Sequence, residues 1–490
     1  MISDRQLLIK LNEQFGFTAF RDGQQETIKA ILNHQDTLAI LPTGGGKSLL
    51  YQMPGYLLPG TVLIVSPLIS LMQDQVDRLH RSGEKRVLMI NGQLTGKSRH
   101  QALQRLSSFK FIFTSPESLA NPEIINKLKK IQITLFVVDE AHCISQWGPD
   151  FRPEYLLLSS VLKQLGSPTT LLLTATATPE VRQDIIQKMG LQGDAVTQVI
   201  RSVNRPNIYY AVERFISVNE KEQYLIDLVN RLAGSGIIYF ASRKLATQFA
   251  ETLNQKTKKT VAAYHAGIAP IDRYRLQQQF MDNQVQLICA TSAFGMGIDK
   301  DDIRFVIHFH EPANLESYVQ EVGRAGRDGK PSLALLLYSP GDEQIQQTLN
   351  HIELPDKELL NAVREKRQPS SVLGDNRELF TFYLEHGYNG ETIIKAFKNR
   401  QISLKNHLNW MARYVNNTKL CRRQMILEYF GERLAKPQVP CCDITDETLL
   451  QRFEKNDDSQ TKHIHSIIKL NWQERLYQLF NINHKADCKK

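Results

Sequence analysis

The segment LPTGGGKSLL, residues 41–50, combines residue types that bind a phosphate chain. Its glycines let backbone N–H groups approach phosphate oxygens closely. Lys47 can reach the β- and γ-phosphates, and the Ser48 hydroxyl can hold Mg²⁺. A glycine-rich turn is the alternative, but the Gly-Lys-Ser ending disfavours it. The candidate nucleotide-binding residues are Thr43, Gly44, Gly45, Gly46, Lys47 and Ser48.

Two adjacent carboxylates, Asp139 and Glu140, follow the apolar run FVV. In a protein with a phosphate-binding loop, Asp139 is the expected partner of Ser48 in holding Mg²⁺. Glu140 would then orient or deprotonate the attacking water. A capped strand end with two solvated acids is the alternative, and the upstream glycine-rich loop favours the catalytic interpretation.

The segment QEVGRAGRDG, residues 320–329, supplies Gln320, Arg324 and Arg327. Attack of water on the γ-phosphate builds negative charge, and an arginine that meets this charge contributes roughly 10³–10⁵ in rate. An arginine-rich helix end on the surface is the alternative. If the segment does act in catalysis, the site forms between two halves of the chain.

Short apolar runs rich in β-forming residues, separated by helix-like segments, are typical of parallel sheets in βαβ units. The first series is TLAILP, TVLIVSP, KFIFTSPE, TLFVVDE and TLLLTATAT, and the second is GIIYFAS, VAAYHAG, QLICATS, IRFVIHFH and SLALLLYSP. The sequence therefore predicts an α/β fold of two tandem doubly wound domains. Ligands of such domains bind at the carboxyl ends of the strands.

The polar, Pro-containing segment RSVNRPNIYY predicts a hinge near residue 205. The predicted domains are residues 1–205 and 206–340, followed by a helical subdomain at 341–446. Residues 447–490 are predicted to be a polar tail with one amphipathic stretch, IHSIIKLNWQERLYQLF.

Composition limits the class of protein. The chain has 490 residues, a net charge of +9 and six scattered cysteines. The charge permits an acidic partner such as nucleic acid. No apolar run is long enough for a membrane span, and we expect no membrane partner and no signal peptide. The scattered cysteines favour a reducing cytoplasm over a disulfide scaffold.

The order of these motifs resembles that of superfamily 2 helicases, and most closely RecQ-family DNA helicases, over residues 15–340. FGFTAFRDGQQETI resembles the adenine-reading motif, which implies that Gln24 contacts the base edge with Arg21 nearby. TATAT (174–178) resembles the element that links hydrolysis to the second domain. SPLISLMQDQ (66–75) and TSPE (114–117) resemble strand-contacting motifs. The resemblance implies two RecA-like domains.

The segment CISQWGPDFRPEY resembles the aromatic-rich loop by which the family senses single-stranded DNA. The resemblance implies that Trp147, Phe151 and Arg152 contact DNA and signal to the ATP site. Aromatic faces stack on bases for about 1–3 kcal/mol each, and arginine adds a phosphate or cation–π contact. Burial of the two aromatic residues in a core is the alternative, which the Gly-Pro-Asp interruption disfavours.

Further candidate DNA contacts lie at predicted strand ends, where the motor would follow the sugar–phosphate backbone. Each of them could instead be part of a capped turn. These residues are Ser66, Ser242, Arg243, His265 and Thr291. His142 is expected to couple the domains rather than bind metal.

The segment CRRQMILEYFGE resembles the start of the family's zinc segment, which implies that Cys421 is a zinc ligand together with Cys441 and Cys442. Thr445 occupies the position of the fourth cysteine. Structural zinc takes four ligands, and the spacing does not select a fourth among Asp443, His463, His465 and Cys488. The alternative is a metal-free helical subdomain packed around Trp410, Tyr414, Leu427 and Phe430.

The leading hypothesis is an ATP- and Mg²⁺-dependent 3′→5′ DNA helicase of recombination or repair. We expect a short, monomeric member of the family that lacks the winged-helix and C-terminal helical domains and acts on single-stranded DNA and on tailed or forked duplexes. Single-strand-binding or recombination proteins are candidate partners. An RNA helicase, and a translocase or annealing protein that does not unwind, are the alternatives.

Overall fold

The computed structural model describes residues 3–92, 96–145, 153–295, 300–349, 351, 353–434, 441–446 and 448–454. The compact unit Met1–Phe453 contains two parallel sheets flanked by helices, and further helices follow the second sheet. The predicted fold class is therefore confirmed. Within the described ranges, no helix has the length and apolar character needed to cross a membrane.

The first sheet has seven parallel strands in the order β3-β4-β2-β5-β6-β1-β7. They are β1 (Thr37–Ile40), β2 (Thr61–Val65), β3 (Val87–Ile90), β4 (Phe111–Thr114), β5 (Ile133–Val138), β6 (Thr169–Thr174) and β7 (Thr197–Ile200). Its helices are α1 (Asp4–Phe15), α2 (Gln24–Leu32), α3 (Leu49–Leu57), α4 (Ile69–Arg81), α5 (Gly96–Gln104), α6 (Pro116–Leu119), α7 (Pro122–Leu128), α8 (Leu158–Gln164) and α9 (Pro179–Lys188). Helices cover both faces, and the apolar residues of the inner strands are buried in two cores.

The second sheet has six parallel strands in the order β10-β11-β9-β12-β13-β8. They are β8 (Ile208–Arg214), β9 (Ser235–Tyr239), β10 (Val261–Tyr264), β11 (Leu287–Ala290), β12 (Ile303–His308) and β13 (Ser332–Tyr338). Its helices are α10 (Val218–Arg231), α11 (Arg243–Lys256), α12 (Pro270–Met281) and α13 (Leu315–Val322). A separate apolar core lies on each face of this sheet.

Three strands were not predicted, namely β3, β7 and β8. All three are edge strands, and β3 and β7 are only partly buried, so their apolar signal is weak. The predicted hinge overlaps β8, because Ile208–Tyr210 already pair with β13. The connection between the sheets is therefore the short segment 201–207.

The helices after β13 are α14 (Asp342–Leu349), α15 (Lys357–Arg364), α16 (Arg377–Glu385), α17 (Gly390–Asn416) and α18 (Arg422–Tyr429). One group of their apolar residues forms a core of its own around Phe380 and Phe397. The other group, which includes Tyr414, Leu427 and Phe430 with Trp410 half-buried beside them, belongs to one core of the second sheet. The end of α17 and all of α18 are thus packed on the second α/β domain.

The described residues 448–454 belong to the predicted tail. A short 3₁₀ helix, Leu449–Phe453, packs on the second sheet, with the rings of Tyr209 and Phe453 5.5 Å apart. The predicted amphipathic stretch at 464–480 lies outside the described residues.

Candidate active site

The glycine-rich loop joins β1 to α3 at the carboxyl end of β1. Gly44 and Gly46 have φ values of +83° and +74°, which a residue with a side chain adopts only with strain. A Cβ on Gly45 would lie 2.9 Å from the carbonyl oxygen of Pro42. Glycine is needed at these positions because the backbone of the loop itself lines the candidate nucleotide site. Ser48 lies at the N-cap position of α3.

The acidic pair follows β5, which is next to β2 in the sheet. The backbone N–H of Asp139 donates to the carbonyl of Val65 at 2.8 Å, which fixes the strand end beside β2. Glu140 has a left-handed backbone with φ +50°, an uncommon conformation for a residue with a side chain. This turn brings both carboxylates into the same cavity as Lys47 and Ser48.

The two carboxyl groups have pKa shifts of opposite direction. Burial, and then the neighbouring Glu140, raise the pKa of Asp139 above its ordinary value, while Lys47 opposes the shift. Burial also acts to raise the pKa of Glu140, but Lys47, His142 and Arg324 outweigh it, so that this pKa is lowered. Glu140 is therefore the carboxylate kept ionised, as a group that accepts a proton or a hydrogen bond from water must be.

His142 connects the acidic pair to the end of β6. Its Nδ1 lies 3.3 Å from Oε2 of Glu140 and 3.0 Å from Oγ1 of Thr174. Burial lowers the pKa of His142, although Glu140 opposes the shift. Thr174 begins the TATAT segment, so the imidazole links the Glu140 carboxylate to that segment.

The arginine loop, defined here as residues 323–327, follows α13 of the second domain. Asn314 caps α13, since its Oδ1 accepts a hydrogen bond from Ser317 N at 2.7 Å. Arg324 is 5% exposed and donates to the carbonyl of Gly295. A Cβ on Gly44 would lie 3.5 Å from Cγ of Arg327, so the arginine loop touches the glycine-rich loop of the first domain.

A cavity of 430 Å³ lies between the two domains. The residues predicted from sequence that line it are Arg21, Gln24, Thr43, Gly44, Gly46, Lys47, Ser48, Asp139, Glu140, Gln320, Arg324 and Arg327. Gln24 Nε2 donates to the carbonyls of Gly45 and Gly46 at 3.2 and 3.1 Å, and Arg21 donates to that of Gly44.

Other residues that line this cavity are not predicted from the sequence, including Phe17, Arg78 and Asp301. Phe17 is 53% exposed, and an aromatic face there can stack on a nucleotide base. Phe17 could have been found from the sequence, because it lies in the same segment as Arg21 and Gln24. Arg78 and Asp301 belong to an ordinary helix and an ordinary turn, so their residue types alone did not mark them.

The donor set fits a magnesium ion. The Ser48 hydroxyl and the Asp139 carboxylate are hard oxygen ligands that line one cavity. The raised pKa of Asp139 reflects a buried pair of carboxylates, whose charge a divalent cation would balance.

Family models match most of the chain. Residues 21–185 match the DEAD/DEAH box helicase model, residues 220–329 the helicase conserved C-terminal domain, and residues 382–446 the RecQ zinc-binding model. The chain is 41% identical over 491 residues to a Bacillus subtilis (strain 168) protein named Probable ATP-dependent DNA helicase RecS. That match covers 96% of this chain and 97% of the relative. The chain belongs to the RecQ family of ATP-dependent DNA helicases.

Other relatives of this RecQ-family chain are longer than it is. The ATP-dependent DNA helicase RecQ of Bacillus subtilis (strain 168) is 41% identical over 344 residues, which cover 69% of this chain and 57% of that protein. Among solved structures, the DUF1998 helicase MrfA bound to DNA has a TM-score of 0.60 at 16% identity, covering 74% of this chain and 56% of that one. At this identity the likeness shows the fold alone.

The candidate DNA contacts of the RecQ-family chain lie at the carboxyl ends of strands in both sheets. Ser66 follows β2, and its buried Oγ has no hydrogen-bond partner within the described structure. Thr291 follows β11, and its N–H donates to the carbonyl of Tyr264 at 3.2 Å. Trp147, Phe151 and Arg152, the predicted aromatic-loop contacts, lie outside the described residues.

A second group of candidate contacts lies in the second domain. Ser242 caps α11 by accepting from Leu245 N at 3.5 Å, so the capped-turn interpretation describes what its side chain does here. His265 Nε2 lies 3.0 Å from Oγ1 of Thr247, and burial together with Arg243 lowers the pKa of His265. Arg243 and His265 therefore lie close together at the ends of β9 and β10.

The three predicted zinc-ligating cysteines converge. Sγ of Cys421 lies 3.0 Å from Sγ of Cys441 and 3.8 Å from Sγ of Cys442. Tetrahedral zinc with Zn–S bonds near 2.3 Å separates its sulfur ligands by about 3.8 Å. Thr445 Oγ1 lies 3.6 Å from Sγ of Cys442. The Cys421–Cys442 separation matches the tetrahedral value and the Cys421–Cys441 separation is shorter; the three sulfurs, all within 4.8 Å of one another, form a cluster that is compatible with zinc.

Asp443 is not available as a fourth ligand in this arrangement. Its carboxylate accepts from Arg422 Nε at 2.6 Å and from the backbone N–H of Val212 at 3.0 Å. His463, His465 and Cys488 lie outside the described residues. Of the other described cysteines, Cys289 is buried in β11 and Cys143 is half-buried.

Proposed function

We propose that this chain couples ATP hydrolysis to 3′→5′ movement along single-stranded DNA and thereby separates the strands of tailed or forked duplexes in recombination or repair. The observation that carries the proposal is the composite cavity between the domains. The first domain lines it with Lys47 and Glu140, and the second with Arg324. A site built from two domains changes when they move, which is what a motor requires.

The chain's own residues supply the chemistry of hydrolysis. The glycine-rich loop cradles the phosphates, and Lys47 contacts their β- and γ-oxygens. Glu140, kept ionised by its cationic neighbours, orients the attacking water and accepts its proton. Arg324 and Arg327 meet the charge that develops on the γ-phosphate. Bound Mg²⁺ on Ser48 and Asp139 would neutralise the phosphate oxygens.

In this proposal, two groups of residues bind DNA and connect DNA binding to the ATP site. Trp147, Phe151 and Arg152 follow the acidic pair in sequence, so a base stacked there is close along the chain to Glu140. Contacts at the strand ends, including Ser66 and Thr291, hold the sugar–phosphate backbone. Cycles of domain closure then move the protein along one strand.

The proposal includes a zinc ion on Cys421, Cys441 and Cys442, and action in a reducing compartment. The converging sulfurs and the match to the RecQ zinc-binding model support the ion. None of the five described cysteines forms a disulfide, which supports the proposal that the protein acts in a reducing compartment.

A measurement of ATP hydrolysis with single-stranded DNA, with single-stranded RNA and without nucleic acid tests this function. We expect strong stimulation by DNA, weak stimulation by RNA, and loss of both in Lys47→Ala. Equal stimulation by RNA would favour an RNA helicase and contradict the proposal. Lys256→Ala, at the exposed C-terminal end of α11, serves as a surface control.

A further inference from the structure

Arg205, in the connection between the two sheets, contacts both catalytic loops. Its Nη1 donates to the carbonyl of Gly323 at 3.0 Å and lies 3.4 Å from that of Thr43. Its Nη2 donates to the carbonyls of Ala325 and Gly326 at 3.1 and 2.7 Å. One guanidinium therefore joins the glycine-rich loop of the first domain to the arginine loop of the second.

These contacts restrict the part of the loop that carries the catalytic arginines. The carbonyls of Gly323 and Ala325 lie on either side of Arg324, and that of Gly326 directly precedes Arg327. A planar guanidinium with several donors can hold such a set in one geometry, whereas a lysine ammonium cannot span it. The guanidinium of Arg205 thus fixes the backbone from which both arginines project.

The position of Arg205 is itself set by the helical subdomain. Arg423 of α18 is 1% exposed, and its Nη1 donates to the carbonyl of Arg205 at 2.7 Å. Its Nη2 donates to the carbonyl of Ile208 at 2.6 Å. Glu432, just after α18, accepts from the N–H of Val203 at 3.1 Å. The connection between the domains is therefore held at both ends by α18 and the residues after it.

We propose that Arg205 is a positioning residue for ATP hydrolysis, which aligns the arginine loop with the glycine-rich loop, and that Arg423 transmits the position of α18 to it. The inference rests on the proposed motor function. A displacement of catalytic groups by about 1 Å can cost roughly 10²-fold in rate. A shift of the helical subdomain would therefore change hydrolysis without any contact to ATP.

Steady-state ATP hydrolysis by Arg205→Met and Arg205→Lys tests the inference. We expect kcat with DNA to fall about 10²-fold in Arg205→Met and less in Arg205→Lys, with KM for ATP changed less than about threefold. ADP with aluminium fluoride mimics the transition state, and we expect the affinity for it to fall by a similar factor. The affinity for ADP alone should stay unchanged. Arg214→Met, at the far end of β8, is the matched control and should leave all these values unchanged.

The link to α18 is tested by Arg423→Met alone and in combination with Arg205→Met. If Arg423 acts through Arg205, the double variant loses no more kcat than Arg205→Met does. Additive losses would overturn the link. The inference would be overturned if the Arg205 variants kept the wild-type kcat and the wild-type affinity for ADP with aluminium fluoride. It would also be overturned if their affinity for ADP alone fell as much as that for ADP with aluminium fluoride. If wild-type protein itself shows no DNA-stimulated hydrolysis, the proposed function fails instead.

Discussion

The imidazole of His142 lies 3.0 Å from Oγ1 of Thr174 and 3.3 Å from the carboxylate of Glu140. The Thr174 hydroxyl in turn accepts from the N–H of Thr176 at 3.3 Å. A change in the TATAT segment can therefore alter the surroundings of the Glu140 carboxylate, to which we assign the attacking water. These two contacts are the path by which His142 would perform its predicted coupling role.

Thr174→Val keeps the side-chain shape and removes only the hydroxyl. We expect DNA-stimulated kcat to fall about tenfold while KM for ATP holds, because His142 loses the partner that orients it beside Glu140. The measurement is ATP hydrolysis with and without DNA. Thr170→Val, at the other end of β6 and equally buried, is the control. An equal effect of both variants would show that the loss is one of stability.

Arg324→Lys keeps the charge but shortens its reach and removes the planar group. We expect kcat to fall by roughly 10³-fold or more, with little change in ATP binding, as for loss of an arginine that meets the γ-phosphate. The control is Arg275→Lys on α12, whose side chain is 69% exposed. Near wild-type kcat in Arg324→Lys would assign Arg324 a structural role.

Zinc content is expected to be about one ion per chain and to be lost in Cys421→Ser and Cys442→Ser. Chelation should lower the unfolding temperature, because the three thiols join α18 to the segment at 441–446. Thr445→Cys should slow zinc loss to a chelator by about tenfold, since it adds a fourth sulfur. Cys289→Ala is the control. Wild-type zinc retention in Cys421→Ser would contradict this assignment.

We expect Glu311 to make the free energy of unfolding depend on pH. It is 2% exposed, and burial together with Glu343 and Asp342 raises its pKa from 4.5 to about 7. Between these values the folded state binds more protons than the unfolded state, so the free energy of unfolding falls as pH rises through this range. The loss is roughly 3 kcal/mol.

Glu311→Gln removes this proton linkage, so we expect the variant to gain stability relative to wild type on going from pH 5 to pH 8. Denaturant unfolding at the two pH values measures the difference. Glu385→Gln, exposed on α16, is the control. Parallel pH dependence of wild type and Glu311→Gln would show that Glu311 is not the group responsible.

The fold could be predicted where strands are buried on both faces. The inner strands β2 and β5 each contain a run of four apolar residues, VLIV and LFVV. The edge strands β3 and β7 could not be predicted, because exposure of one side allows polar residues. The packing of α17 and α18 on the second sheet was also missed, since helical periodicity shows that a face is buried but not against what.

The candidate site was predictable where chemistry restricts residue type and spacing, as in the glycine-rich loop and the acidic pair. Arg205 was missed because its role depends on carbonyls from two distant loops, and backbone acceptors leave no mark in a sequence. Phe17 was missed for a similar reason, since aromatic residues are common and only its exposure beside Gln24 distinguishes it.

Strand separation on duplexes with a 3′ or a 5′ single-stranded tail tests the proposed function most directly. With ATP and Mg²⁺ we expect unwinding of the 3′-tailed duplex, little of the 5′-tailed one, and none of either by Lys47→Ala. DNA-stimulated hydrolysis without unwinding of either duplex would contradict helicase action and indicate a translocase or annealing protein. Unwinding of the 5′-tailed duplex alone would contradict the proposed direction.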